Sequence, residues 1–337
     1  VQETQSHKRM IFELDIEATL KALLIQEDTD NDKRITVEDA GPKSFNIIST
    51  SKSSYTVEGT YHLSNLLQEL VYAKQNGFTI AEIPLSKIEE PPASRLSRII
   101  KEYLWTGLTR TMDAHGIQNL ILDSKNEALV SENLRIYVPF EDDVAFNYYT
   151  KLQEKHPIEV IRLPKEISPE YVKSINEEPG ILSLKLVNEG NEIKGVPFVV
   201  PGGRFNEMYG WDSYFESVGL IIDGKVELAK AMADNFQYEI NHYGKILNAN
   251  RSYYLTRTQP PFYSSLIREV YEVTKDKVWL QSHLETAIKE YETVWMVEGK
   301  RLVDNDLNRY LAEGIGLPPE TEKGHYDAVV TPFAEKA

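Results

Sequence analysis

Residues 201–214 read Pro-Gly-Gly-Arg-Phe-Asn-Glu-Met-Tyr-Gly-Trp-Asp-Ser-Tyr. Two glycines free the backbone, and Arg204, Phe205, Glu207, Tyr209, Trp211 and Asp212 follow at once. A bound sugar calls for this mixture. Aromatic faces stack on the apolar C–H face of a pyranose, while guanidinium forks and carboxylates pair with the hydroxyls on its rim. The plainer alternative is a turn leading into a core helix, since most aromatic clusters serve packing. A second run, residues 248–261, offers Asn248, Arg251, Arg257 and Gln259 among two tyrosines and ends in Pro260-Pro261. Within the first run, Glu207 and Asp212 are the carboxylates that general acid–base chemistry would draw on. Their separation does not make them converge, because a helix begins at Trp211 and Asp212 while Glu207 precedes it.

A different chemistry is written near the start of the chain. Asp28, Asp30, Asp32 and Asp39 fall at positions 1, 3, 5 and 12 of an EF-hand spacing, with the Arg34 carbonyl at position 7 and Ile35 at the apolar position. Hard oxygen ligands so spaced wrap Ca²⁺. Position 6 is Lys33 rather than glycine, which predicts a side chain forced into the left-handed region. Asp39 is one methylene shorter than the usual glutamate, which predicts an affinity of about 10⁻⁶ to 10⁻³ M. The alternative is a solvated acidic turn that caps the next helix.

The elements that must position these residues are mainly helical. Apolar periodicity predicts helices over 11–27, 59–76 and 92–115, with residues 44–58 irregular. Glu89-Glu90-Pro91-Pro92 reads as a boundary or a helix start. Residues 134–138 and 158–162 read as strands, and 181–187 with 193–200 as a hairpin. Helices return at 212–222, 225–243, 261–274 and 276–297, and the loops between them carry the sugar-like runs. Two domains are expected, residues 1–90 around the acidic loop and residues 91–337 around the two runs.

The chain has 337 residues, 41% of them hydrophobic and 26% charged, a composition of soluble globular proteins. A formal net charge of −15 argues against a nucleic-acid partner, whose phosphates demand basic patches. It suits cation binding and a neutral sugar. No apolar run is long enough to cross a membrane, and the absence of cysteine excludes disulfide and thiolate chemistry.

The run 201–214 resembles the first signature of the trehalases, and 248–261 resembles a second conserved motif of that family in the right order. With the acidic loop, the resemblance narrows to the calcium-binding neutral trehalases of fungi and covers nearly the whole chain from about Ile11. It implies an (α/α)6 toroid glycosidase, partial here, preceded by a small EF-hand-like calcium domain. It implies inverting hydrolysis of α,α-trehalose to two glucose molecules in the cytoplasm. By the resemblance Arg204, Asp212, Asn248, Arg257 and Gln259 bind sugar hydroxyls, Phe205 and Trp211 form aromatic walls, and Glu207 is structural. Glu320, in Gly316-Leu-Pro-Pro-Glu320, matches a further substrate-binding glutamate, although Pro318 stands where bacterial relatives have arginine. The family's catalytic acid and base lie in later motifs, so they are expected beyond residue 337 and the chain is expected to be the first part of a longer one. Regulation in the family runs through calcium and through 14-3-3 proteins bound to a phosphorylated N-terminal tail, which is expected upstream of Val1. Two alternatives remain: a toroid glycosidase for another disaccharide, or a non-catalytic, calcium-regulated carbohydrate sensor.

Overall fold

The computed structural model describes residues 10–50, 53–122, 133–190, 192–303, 305–317, 319, 321, 324–327 and 331. The chain divides into two compact units, Val1–Glu102 and Tyr103–Ala337. The division falls within the π-helical turn Ile100–Leu104.

The first unit begins with strand β1 (Ile11–Asp15) and helix α1 (Ile16–Glu27). One helix over 11–27 was expected. The first five residues instead alternate, with Phe12 and Leu14 inward and their neighbours outward, which is the period of a strand. Asp15 ends the strand and caps the helix, accepting the Ala18 N–H at 2.8 Å. The segment expected to be irregular is an antiparallel hairpin of β2 (Ser44–Ile48) and β3 (Ser54–Glu58). Helix α2 (Thr60–Gln75) follows, and β4 (Ile80–Pro84) pairs antiparallel with β1. A short helix α3 (Leu85–Ile88) leads to α4 (Pro92–Ile99), which starts on Pro92, where a missing N–H is harmless. Phe12, Leu14, Leu23, Ile47, Leu63 and Leu66 are fully buried and form the core.

The second unit opens with α5 (Trp105–Leu108) and β5 (Thr109–Arg110). The helix expected to reach residue 115 therefore stops at Leu108, because Thr109 and Arg110 pair with β11 (Phe198–Val199). After α6 (Ile117–Ile121), strand β6 (Leu134–Val138) lies at the centre of a parallel sheet. Its neighbours are β7 (Ile158–Arg162), reached through α7 (Asp143–Gln153), and β8 (Ile181–Leu182), reached through α8 (Pro169–Ser174). The expected hairpin is correspondingly narrow. Among the described residues only β9 (Leu186–Glu189) and β10 (Glu192–Gly195) pair with each other. Four long helices complete the unit: α9 (Gly210–Ile222), α10 (Val226–Tyr243), α11 (Tyr263–Thr274) and α12 (Lys277–Glu290), continued by a π-helical turn Tyr291–Trp295. Helix α10 packs against the other three. Its Ala229, Ala231 and Ala233 leave room for close neighbours, and Gly244 ends it at φ 81°, a value that favours glycine. No described helix is long and apolar enough to cross a membrane.

Candidate functional site

The acidic loop follows α1 and leads into β2, so one helix, not two, frames it. Ile35 anchors it, 4% exposed, in the first unit's core. Asn31 and Lys33 both take positive φ, 62° and 65°, as expected for Lys33. Main-chain N–H groups then organise the carboxylates. Asp28 accepts from Asp32 at 3.1 Å and Lys33 at 3.0 Å, Asp30 from Asp32 at 3.1 Å, and Asp32 from Arg34 at 2.7 Å. As a result, ligand oxygens of Asp28, Asp30 and Asp32 lie within 4.8 Å of one another. The Arg34 guanidinium is 3.9 Å from Asp32 and largely exposed, so it neutralises little of that charge. A crowded all-oxygen donor set of this kind fits a hard divalent cation. Asp39 stands apart from the three. One of its oxygens accepts the Thr29 N–H at 2.7 Å and the other the Thr36 N–H at 2.7 Å. These N–H groups, Thr36 first, hold its carboxyl down to about 2. Asp39 closes the loop as a clasp.

In the second unit the two signature runs are woven together through their main chains. Tyr209 bridges Ala249, Gly210 N–H donates to Asn248 O at 3.1 Å, and Asn248 N–H to Arg257 O at 3.2 Å. The Trp211 N–H donates to Gln259 Oε1 at 2.7 Å, so Gln259 caps the start of α9. The approach is close: a Cβ on Gly210 would stand 2.7 Å from Gln259 Oε1 and 2.8 Å from Leu247 O. Below the weave, Glu207 is 1% exposed and receives Arg251 through Nε at 2.7 Å and Nη2 at 2.6 Å. This buried pair ties the two runs, so Glu207 serves structure. Asn250 adds a second tie, its Oδ1 accepting the Met208 N–H at 2.8 Å.

On this frame, Arg204 lies over the Phe205 ring at 4.7 Å, and Phe205 meets Tyr209 edge to face at 5.3 Å. Trp211 is 44% exposed, a large aromatic surface open to solvent. Asp212 and Asn248 are half-buried and carry no side-chain hydrogen bond among the described residues. Arg257 donates Nη2 to Gly316 O at 3.0 Å. The structure therefore brings the runs around 204–212 and 248–259 together, whereas Glu320 lies outside the described residues. A cavity of about 400 Å³ lies elsewhere. It is bordered by Pro261, Ser264, Glu290, Tyr291, Trp295 and Tyr310, and touches the second run only at Pro261.

Three buried acids were not read from the sequence. Glu216 lies one helical turn beyond Asp212, and both its oxygens are buried without a hydrogen-bond partner among the described residues. Burial, and then the Asp212 charge, pushes it up to about 8. Burial likewise pushes Glu239 up to about 8 and Glu290 to about 7. An acid in an otherwise apolar helical run, such as Phe215-Glu216-Ser217-Val218, is the signal that marks such a position.

Residues 79–337 match the family described as Trehalase, and residues 20–48 match the Neutral trehalase Ca2+ binding domain. The chain is 46% identical to a cytosolic neutral trehalase of Emericella nidulans, over 96% of this chain and 45% of the relative. It is 42% identical to a cytosolic neutral trehalase of Saccharomyces cerevisiae, over 99% of this chain and 47% of the relative. Among solved structures, neutral trehalase Nth1 from Saccharomyces cerevisiae matches with a TM-score of 0.67 at 42% identity, over 73% of this chain and 48% of that one. The chain spans about half the length of these relatives.

Proposed function

The chain belongs to the trehalase family and carries that family's calcium-binding domain, and from that premise we propose that the protein hydrolyses α,α-trehalose to two glucose molecules with inversion. The fold it shares with its structural neighbour makes the second unit's helices part of an α/α toroid glycosidase. We propose a division of labour in which residues 1–90 bind calcium and regulate, and residues 91–337 supply the sugar-binding loops of the toroid. One observation supports the sugar site most: the two runs are locked by their main chains, yet Asp212 and Asn248 remain uncommitted beside exposed Trp211.

In this reading Phe205 and Trp211 stack on the pyranose, Arg204 and Arg257 donate to hydroxyl oxygens, and Asp212 accepts from hydroxyls. Asn248 can do both. Gln259 acts by setting Trp211, and Glu320 extends the set. Inversion needs two carboxyl groups about 6.5–9.5 Å apart on opposite faces of the sugar, and none of these residues is assigned that role. Asp28, Asp30 and Asp32, with the Arg34 carbonyl, would hold Ca²⁺, and Asp39 would brace the loop or complete the shell. Bound calcium supplies charge neutralisation, which favours the ordered loop. The relatives' names place them in the cytosol, and the same compartment is proposed here. Phosphorylation of a tail upstream of Val1, read by a 14-3-3 protein, is the proposed second control.

Glucose release from trehalose by the complete gene product, with calcium and with a chelator, tests this. Release that falls on chelation is expected. Trehalose binding without release would favour the sensor reading, and release from a different disaccharide alone would reassign the substrate.

A further inference from the structure

Glu313 belongs to neither signature run. Its carboxylate lies between two lysines, Lys245 Nζ at 3.2 Å from Oε2 and Lys300 Nζ at 2.6 Å from Oε1. Burial alone would raise the Glu313 carboxyl, but Lys300 and Lys245 hold it below the usual glutamate value. Lys245 is itself mostly buried, and that burial draws its ammonium below the usual lysine value although Glu313 opposes the shift.

The neighbourhood gives this clamp its meaning. Glu313 N–H donates to Thr256 O at 3.2 Å, and Gly316 O accepts from Arg257 Nη2 at 3.0 Å. Between them, a Cβ on Gly314 would come within 3.0 Å of Thr256 Oγ1 and 3.2 Å of Arg257 Nη2. The chain around Gly314 thus lies directly on the second run, at the arginine proposed to meet the sugar. Residues 311–317 form no helix or strand. An irregular segment keeps one conformation only if side chains restrain it against its conformational entropy. Lys245, three residues before Asn248, is rooted in the same loop as Arg257, and Lys300 holds the other carboxylate oxygen from outside the run.

We propose that Glu313, held by Lys245 and Lys300, is a positioning residue that fixes the 311–317 segment against Arg257 and so sets the Arg257 guanidinium for the sugar. The inference rests on the sugar-site reading above. Arg257 has five N–H donors in a rigid fork, and the Gly316 carbonyl fixes the fork's direction by engaging one side of it. When Glu313 no longer holds the segment, that carbonyl drifts and the fork turns with it.

Trehalose binding to the complete gene product, measured before turnover and paired with amide exchange over 311–317, tests the proposal. Glu313→Gln is expected to raise Kd about 10- to 100-fold, the scale of one hydrogen bond to a charged group lost, and to speed exchange in the segment. Glu313→Asp, which retains the charge, recovers part of the affinity. Lys245→Met with Glu313→Gln leaves no buried ammonium unpaired and loses no more affinity than Glu313→Gln alone, so it carries the test if the single variant does not fold. Unchanged Kd for Glu313→Gln in a protein that binds trehalose overturns the proposal. Faster exchange without loss of affinity also overturns it, since the clamp would then be a fastener only. A parent protein that binds no trehalose, while Asn248→Ala is equally silent, brings down the sugar-site reading itself and this inference with it.

Discussion

Glu69 in the first unit and Glu290 in the second are almost equally inaccessible, 7% and 4% exposed, yet their carboxyls move in opposite directions. For Glu69, burial is opposed by Arg98 at 2.8 Å, Arg95 at 3.1 Å and Lys87 at 3.5 Å, and the acid is held below its usual value. Glu290 has the Trp295 indole N–H at 3.4 Å, and burial lifts it to about 7. The difference teaches that depth does not set a carboxylate's charge; the donors that reach it do. The contrast recurs between Asp39, clasped by two N–H groups, and Glu239, which among the described residues has only the Leu247 N–H at 3.0 Å.

The strongest way to break the contrast is to strip an acid of its partner. Arg251→Met strands the buried Glu207 and should lower unfolding free energy by about 3–5 kcal/mol, measured by denaturant melting. Should the loss stay under about 1 kcal/mol, the pair is solvated and the two runs are held by their main chains and by Asn250 and Gln259.

Next comes the pH dependence, whose sign differs between the units. Glu239 is raised from 4.5 to about 8 in the folded protein, so the fold keeps a proton that the unfolded chain has released. Its contribution is full below the ordinary glutamate range and is lost as pH climbs toward 8. Glu239→Gln should remove a slope of about 1.4 kcal/mol per pH unit across that window and raise melting temperature at pH 8 more than at pH 5. Asp39 runs the other way: lowered from 3.8 to about 2, it stabilises above the ordinary range and lets go as pH falls toward 2. An Asp39→Asn protein with unchanged acid unfolding would contradict the clasp.

Calcium sharpens the comparison by bringing a divalent cation among Asp28, Asp30 and Asp32. At a hundredfold excess over Kd it should stabilise the first unit by about 2.7 kcal/mol, and Asp28→Ala should abolish that shift in calorimetric scans. The smallest effect concerns the loop's backbone. Lys33→Gly relieves a side chain at φ 65° and should add about 1 kcal/mol, read as tighter calcium binding.

Local signals were legible in the sequence and distant ones were not. The carboxylate spacing from Asp28 to Asp32 and the positive φ at Lys33 are set by neighbours in the chain, and the helical periods of α9 to α12 are likewise local. The strand at Ile11–Asp15 escaped because Phe12, Leu14 and Ile16 continue into a helix without a break in apolar content. The hairpin 44–58 escaped because its serines read as loop. Asp39's attachment to Thr29 and Thr36, the Glu207–Arg251 pair and the silent acids Glu216, Glu239 and Glu290 depend on what the fold places beside them. Spacing along the chain does not report that.

The contact between Gly210 and Gln259 has a consequence for how this protein can vary. With 2.7 Å between a notional Cβ and Gln259 Oε1 and 2.8 Å to Leu247 O, position 210 is not free to drift. In a library randomised at both, glycine should persist at 210 whatever stands at 259, because the Leu247 carbonyl is backbone and cannot be shortened. The two runs, nearly fifty positions apart, would then be held to one spacing under selection by a single glycine.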